Sequence, residues 1–581
     1  MRDSPRPTQN RLRPATLALV AGLLAAAAGC TLKTNVAATG GSAGNVSHLW
    51  LTVNEVWLAT DADTPPEATS GWNKNVLASP VTFDLATLSN STLEQLASEV
   101  TTASGTYRQV HLVLADSGDA LTASAQAVGI ASNAQITITN ASGTLATAPL
   151  EAAVPGFGLT IACDLTLTGS FALGGSSSTT TSTTTTGTST GATDTGGTSG
   201  ATLGSSTPST ATLALTIDGA RDVLPYTYGT STGYILSPIT AVADESRAGG
   251  ISGTVDPSAL ASGSGPISVS AEIPDPTSTH HVIVQRRVVG SDGSFTLYPL
   301  PTPSSGTANY DLVIAGAGAQ TIIVKSIPVG TGTALAPVVV QSTPFVLAAA
   351  PLVYADVALN TTALPGGARV SFYQTVPASG EIPYAIDGSA VDLISRRLPN
   401  DAFALGAGPL MVGSYASGST VSLATLAPVE GNGGFVIGAD GQYRADTLLA
   451  RPTLISGTST APTPIVPPYP AIAAGGSAGT MRVTVQATPG LYDSGFVVIA
   501  AGNRVVDAAN VGSLLAAGGG TVTIPNVPGG SGLAASSGVP YQVALRAWNS
   551  SSGAASLIRV ATTTSTVFGN GTAGSVTLQA Q

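Results

Sequence analysis

Two cysteines in 581 residues, Cys30 and Cys163, are too few for a disulfide framework. Charge is equally scarce. Only 9% of residues are charged, the formal net charge is −11, and lysine stands only at positions 33, 74 and 325. Clustered cations that neutralise phosphates are therefore missing, which argues against a nucleic-acid partner. The four histidines, His48, His111, His280 and His281, form no His-x-x-x-His pair, and no Cys-x-x-Cys occurs, so the chain has no seed for a zinc site. A G-x-x-x-x-G-K-[ST] phosphate loop is absent, as is a dinucleotide fingerprint in a strand-helix-strand setting. No cofactor is expected. The apolar run from Ala15 to Gly29 falls short of the roughly 20 residues that a helix needs to cross a bilayer core.

Gly (68), Pro (38), Ala, Ser, Thr and Val are abundant. That balance favours short strands joined by many turns over long helices. Hydrophobic residues, at 43%, suffice for packed cores, and the length implies three to five domains. The expectation is an all-β, multi-module protein.

At the amino terminus, Arg2, Arg6, Arg11 and Arg13 precede the apolar run, and small residues follow it. This is the three-part shape of a secretory signal, placed at 1–29. Ala27-Ala28-Gly29-Cys30 resembles the bacterial lipobox, with Ala27 where Leu is commoner. The resemblance implies that Cys30 carries a diacylglycerol on its sulfur, becomes the first mature residue and holds the protein to a membrane. Several acyl chains hold firmly, at about 0.8 kcal/mol per buried methylene. Thr31, rather than Asp, follows the cysteine, which under the sorting rule of Gram-negative bacteria implies outer-membrane delivery if the organism is one of them. Residues 30–45 then read as a flexible tether.

Structure is expected from Val46. VSHLWLTVNEVWLA and VTFDLATL alternate as half-buried strands, and ASGTYRQVHLVLA returns to that period. Between them SNSTLEQLASEV predicts a helix, with a Ser91/Glu94 capping box and one face of Leu93, Leu96, Ala97 and Val100. WLTVNEVWL, Asp84-Leu85, the short helix and GTYRQVHLVL, with TLALTIDGARDVL and YILSPITAV further on, resemble the bacterial lipoprotein domain of unknown function 4382. His111 stands where that family commonly has Arg. The resemblance spans about 46–245 and implies a β-sandwich-like fold in the envelope, with no known activity. The domain is placed at 46–247, with a low-complexity insertion at 174–210. Its Ser/Thr tract at 176–197 has almost nothing to bury and is expected to be a disordered hairpin loop. Cys163, in GLTIACDLTLTG, reads as a small buried hydrophobe in a strand.

From Gly249 the grammar changes. Asp292-Gly293 makes a tight turn, Phe295 and Leu297 point into a core, Pro299 and Pro301 stop the strand, and Tyr310 heads a return strand from which it can bond back across the loop. GSDGSFTLYPLP with NYDLVIAG resembles the transthyretin-like or carboxypeptidase-regulatory β-sandwiches. Gly438–Tyr443 repeats the turn and aromatic; Val522–Pro528 with Tyr541 repeats the strand, proline stop and tyrosine return. The fold expected is therefore a tandem of β-sandwich (Ig-like/transthyretin-like) modules with a few short helices and the disordered insertion. They lie at 248–347, 348–456 and 479–581, the last after a Pro/Gly-rich linker at 457–478 that contains the stiff APTPIVPPYP.

Candidate chemistry is thin. G-x-S-x-G occurs around Ser42, Ser189, Ser231 and Ser477, a multiplicity that composition explains, and none precedes a helix as a nucleophile elbow does. His280 and His281, adjacent in a strand, point to opposite faces and read as one solvated and one core-facing residue. Asp61, Asp63 and Glu67 read as a solvated acidic loop, without the spacing or glycine of a calcium loop. Asp116–Asp119 is a turn. Cys30, as lipid attachment point, is thus the one site residue assigned, with no catalytic, cofactor or metal residue. The function expected is a lipid-anchored, non-enzymatic envelope protein that offers a glycan or protein ligand its loops; the sequence sets no oligomeric state. Two alternatives stand beside it: a carbohydrate-active or esterase-like envelope enzyme, marked by paired carboxyls in a cleft, and a pilus or secretion accessory subunit, marked by an unpaired sheet edge.

Overall fold

The computed structural model describes residues 31–42, 46–87 apart from 63, 65, 67 and 69, 94–103, 105–139, 145–154 and 158–167. It further describes 209–260, 266–355, 366–395, 403–444, 455–456 and 471–580, each of the longer spans with short gaps. The expected leader with Cys30, the 176–197 tract and the 461–470 spacer lie outside the described residues. Strand is the dominant element among the described residues. The two helices among the described residues, Ala123–Ala127 and Gly512–Ala516, are one turn each. No described helix is long and apolar enough to cross a membrane.

The first domain is built from two sheets. In the larger, Val46–Ala59 pairs with Trp72–Asp84 along one edge and with Gly105–Leu114 and Gln135–Thr139 along the other. The sheet continues through Leu159–Leu167 at one end and through Leu145–Ala152, Ser231–Leu236 and Val223–Tyr228 at the other. The smaller sheet runs Val242–Asp244, Ser209–Ile217, Thr31–Ser42, Glu94–Ala103. Leu49, Leu51, Val53, Val56, Leu58, Val110, Leu112 and Ile161 form the core.

Two expectations are overturned here. The segment taken for a tether is a strand over Thr31–Ser42, antiparallel to Glu94–Ala103 and parallel to Ser209–Ile217. Leu96, Ala97 and Val100, expected on a helix, lie in that Glu94–Ala103 strand, with Val100 opposite Thr34 and Ala103 opposite Thr31. A capping box and a short apolar spacing are local preferences, and ladder pairing on both sides of the segment 31–42 overrides them. The expected strands at Val46–Ala59, Gly105–Leu114 and Leu159–Leu167 are present.

The second module packs Ala248–Asp256, Ser294–Pro301 and two short strands against a sheet of His281–Val288, Ile267–Pro274, Thr307–Gly316 and Ile322–Gly330. Its turn chemistry is as the residues dictate. Gly293 sits at φ +79°, Asp292 Oδ1 accepts from Ser294 N at 2.9 Å, Phe295 and Leu297 are buried, and Tyr310 OH donates to Pro301 O at 2.5 Å. The last module repeats that bond from Tyr541 OH to Pro528 O at 2.5 Å. At the third recurrence the aromatic differs: Tyr443 lies in a turn at φ +58° after Phe435–Asp440, not at the head of a strand.

The modules are joined more closely than a row of beads. Ile322–Gly330 pairs in parallel with Leu410–Ser414, so one six-stranded sheet runs across the boundary expected near 348. Residues 352–456 otherwise form two small three-stranded sheets whose core takes in Val313, Ala315 and Ile323 of the second module. In the last module, Gly519–Gly529, Ser477–Gln486 and Ala573–Gln579 face a sheet centred on Ser494–Ala501 and Val539–Trp548. That second sheet is buried on both faces. Its outer residues Phe496, Val498, Ala500, Ala544 and Trp548 share a core with Ala153, Val154, Leu224, Tyr226 and Ile235 of the first domain and with Ala390 and Leu393 of the third module.

Candidate functional site

Ionisable residues that nothing in the sequence singles out hold these joints, together with the adjacent histidines. Arg546, wholly buried, donates through Nε to Glu151 Oε2 at 2.7 Å and through Nη2 to Ala152 O at 2.8 Å; Tyr226 OH donates to Glu151 Oε1 at 3.0 Å. Arg369, also buried, donates through Nε to Arg221 O at 2.6 Å and through Nη2 to Ser237 O, tying the third module to the first domain. Desolvation pulls its guanidinium down to about 9.

The third joint contains the adjacent histidines. Both are buried, so the reading of one as solvated is corrected: the third module covers the face that an isolated sandwich would leave wet. His280 packs against Tyr373 with ring centroids 4.4 Å apart, and His281 stacks on Tyr384 at 3.8 Å and 13°. His281 Nε2 lies 3.4 Å from Asp311 Oδ2, which also accepts from Tyr384 OH at 2.8 Å. Directly across the ladder from Asp311 stands Glu272, wholly buried, which accepts from Ser270 Oγ at 2.7 Å and from Ala385 N, on the third module, at 3.0 Å. Burial pushes the Glu272 carboxyl up to about 7, against the hydrogen bonds and the nearby histidine, which pull it down. For Asp311, burial would raise the value, but hydrogen bonds from His281, Ser326 N and Tyr384 OH outweigh it and hold the group below its ordinary range. Glu272 is sealed within the joint, while Asp311 is only half-buried beside it.

The remaining sequence candidates are dispersed. Cys30, Asp63, Glu67 and Ser189 lie outside the described residues. Ser42 ends one strand, and Ser231 and Ser477 begin others. Cys163 is half-buried at the edge of the first core, with Sγ 3.5 Å from Tyr107 O. Asp61 is exposed, and Asp116–Asp119 is the expected turn, closed by Asp119 N to Asp116 O at 3.1 Å. Among the described residues no group of three or more His, Cys, Asp or Glu is placed to hold a metal ion.

One surface gathers aromatic and charged side chains on an outer sheet face. A bulge at Val53/Glu55 shifts the register of Val46–Ala59 against Gly105–Leu114. In a regular strand Trp50 and Trp57, seven apart, would point to opposite faces. Here odd residues face inward before the bulge (Leu49, Leu51, Val53) and even ones after it (Val56, Leu58), so both tryptophans share the outer face. Trp57 is opposite Lys74 on one neighbour and His111 on the other, and Trp72 is opposite Ala59. The rings gather: Trp57 lies 6.0 Å from Trp72 at 54° and 5.0 Å from His111, with Trp72 5.7 Å from His111. His111 is the buried floor, its Nδ1 2.8 Å from Thr160 Oγ1. Trp57 Nε1 donates to Glu55 Oε2 at 2.6 Å, and the exposed Lys74 places Nζ 3.8 Å from the centre of the Trp57 ring. Further along that face, His48 Nδ1 pairs with Asp84 Oδ2 at 2.6 Å and stacks beside Trp50. Three of the chain's four tryptophans thus stand, half-buried, on one outer sheet face. A sequence reader sees large apolar residues in a strand; only the bulge shows that they face outward.

No curated protein matches the chain. Among solved structures, it is similar to the Bacillus anthracis TIE protein at 10% identity, over 98% of this chain and 79% of that one, with a TM-score of 0.13. A pilus adhesin, SpaC from Lactobacillus rhamnosus GG, aligns at 11% identity over 61% of this chain and 46% of its own, TM-score 0.11. A tetra-tandem repeat from the extending region of a large adhesion protein aligns at 11% identity over 89% and 95%, TM-score 0.09. TM-scores this low carry no argument about fold or function. The family comparison is specific: residues 34–154 match the model of domain of unknown function DUF4382, from within the Thr31–Ser42 strand to the end of the Leu145–Ala152 sheet segment. The strands Ser209–Ile217 and Ser231–Leu236 lie beyond that match yet complete the same two sheets. Residues 34–154 are accordingly a DUF4382 domain, set in a chain of β modules.

Proposed function

We propose that the protein is a lipid-anchored, non-enzymatic binding scaffold of the bacterial envelope, held through Cys30 and delivered to the outer membrane. The observation that carries this reading is the use made of buried ionic groups. Glu151, Arg546, Arg369, Glu272, His281 and Asp311 all lie at joints between modules. A construction of that kind fixes modules rigidly and leaves outer sheet faces and loops to meet a ligand. The anchor rests on Ala27-Ala28-Gly29-Cys30 behind a basic, then apolar, leader. Fractionation tests it: wild-type protein should partition with outer membranes and the Cys30→Ser variant should become soluble, with intact-mass analysis showing acyl chains on the wild type alone. Identical fractionation of the two, or hydrolysis of ester, peptide or glycoside substrates above a denatured control, would overturn the reading.

A second reading has its own observation. Among the described residues Trp72–Asp84, thirteen residues long, pairs on one side only, and Val76 on it is 73% exposed. Such an edge suits strand addition by a pilus or secretion partner. An Asn75→Pro variant that loses an otherwise co-purifying subunit would favour it.

A further inference from the structure

We propose that the Trp57–Trp72–His111 surface is a binding site for a neutral hexopyranose unit of a glycan; this rests on the scaffold reading and names its ligand class. Indole is the largest apolar side chain and is normally turned inward or capped. Here two indoles meet at 54° on an outer face, braced from beneath by His111 and held in orientation by the Trp57 Nε1 bond to Glu55. A fixed aromatic corner presents a flat, electron-rich, apolar surface with polar groups at its rim, and rigid aromatic walls bind at small entropic cost. The rim carries the Glu55 carboxylate and the Lys74 ammonium, both on the outer face with Trp57.

A pyranose has matching parts: a ring face of C–H groups that packs on indole, and an equatorial belt of hydroxyls that both donate and accept. Charge selects among ligands. A cationic ligand seeking the Trp57 ring would meet Lys74 already standing over it, and an anionic sugar would meet Glu55 in a chain of net charge −11. A neutral ring pays neither cost. Lys74 is exposed, and its flexible stem lets the ammonium swing from the ring to the hydroxyl belt as the sugar enters.

The test uses the detergent-solubilised full chain, titrated with dextran, laminarin, mannan and, as charged controls, alginate and polygalacturonate. Tryptophan fluorescence and calorimetry report binding. At least one neutral polymer should saturate, with affinity reduced tenfold or more in Trp72→Ala and in Trp57→Phe, and changed less than twofold in Trp50→Ala. Circular dichroism and melting curves verify that each variant is folded; Trp57→Phe keeps an aromatic in place should the smaller side chain disturb the sheet. Saturation by none of the neutral polymers, preference for the uronates, or wild-type affinity in folded Trp57 and Trp72 variants would each overturn the site. Reducing ends are assayed in the same tubes. Their release would sink the non-enzymatic reading while leaving the site standing, whereas failure to bind would sink the site and leave the anchor untouched.

Discussion

Replacing Glu272 with glutamine should stabilise the joint between the second and third modules above neutral pH and flatten its response to pH. The wild-type carboxyl is raised from 4.5 to about 7, chiefly by desolvation. The folded state therefore holds this proton more tightly than the unfolded one. The associated stability is full below about 4.5 and is lost as pH climbs through about 7. At 1.36 kcal/mol for each tenfold change in proton affinity, that gap amounts to about 3 kcal/mol lost by pH 8. Glutamine keeps the shape: its carbonyl can accept from Ala385 N and its amide can donate to Ser270 Oγ. The charged groups around it, His281 and Asp311 with the Lys325–Glu381 and Arg286–Asp387 pairs, remain in the variant. The two proteins should thus be nearly equally stable at pH 4.5, with the variant ahead by about 3 kcal/mol at pH 8. A multi-module chain does not melt in one step, so the readout is amide exchange along Tyr384–Ala390, checked by denaturant unfolding from pH 4.5 to 8. Below pH 4 both should weaken together as Asp311, whose value is depressed, takes up its proton. A flat wild-type profile, or the same slope in the variant, would refute the reasoning.

Three further outcomes are expected. Arg546→Ala leaves Glu151 buried without its cation, and the joint between the last and first domains should lose about 3–5 kcal/mol, seen as early exposure of Trp548 in urea. The double variant Glu151→Leu/Arg546→Met should recover most of that loss, since an apolar pair no longer needs the ion pair. Tyr310→Phe and Tyr541→Phe remove the same bond to a proline carbonyl in different modules, so each should cost its own module about 1–2 kcal/mol in differential unfolding, additively in the double variant.

What could be read in advance was local. Alternation in VSHLWLTVNEVWLA, the Asp292-Gly293 turn and the Tyr310 bond back across the loop describe chemistry within a few residues, and the structure has each of them. Pro299, Pro525 and Pro528, expected to stop strands, instead lie within Ser294–Pro301 and Gly519–Gly529 because the ladder runs past them. The Glu94–Ala103 strand is invisible to local reading because its partner, Thr31–Ser42, lies far before it in the chain, and a capping box cannot report on that. That one of His280 and His281 is solvated fails for a related cause: the covering module, which buries both, begins far downstream. One signal did point to the joints. Gly495–Ala501 and Tyr541–Trp548 are buried at every residue, which a strand with one wet face does not allow, and the unbroken runs FVVIAA and VALRAW say so in sequence. Arg546 within such a run indicates a buried cation with a partner. The aromatic corner stayed hidden because a single inserted residue at the bulge decides which way Trp57 points.

The clasp between Glu151 and Arg546 spans 395 positions of chain. A polypeptide synthesised from its amino end therefore carries Leu224, Tyr226 and Ile235 uncovered until the strands that hold Phe496 and Trp548 have been made. The half-built molecule thus has to be guarded, and a version cut before Ser494 would leave an adhesive apolar wound on the domain made first.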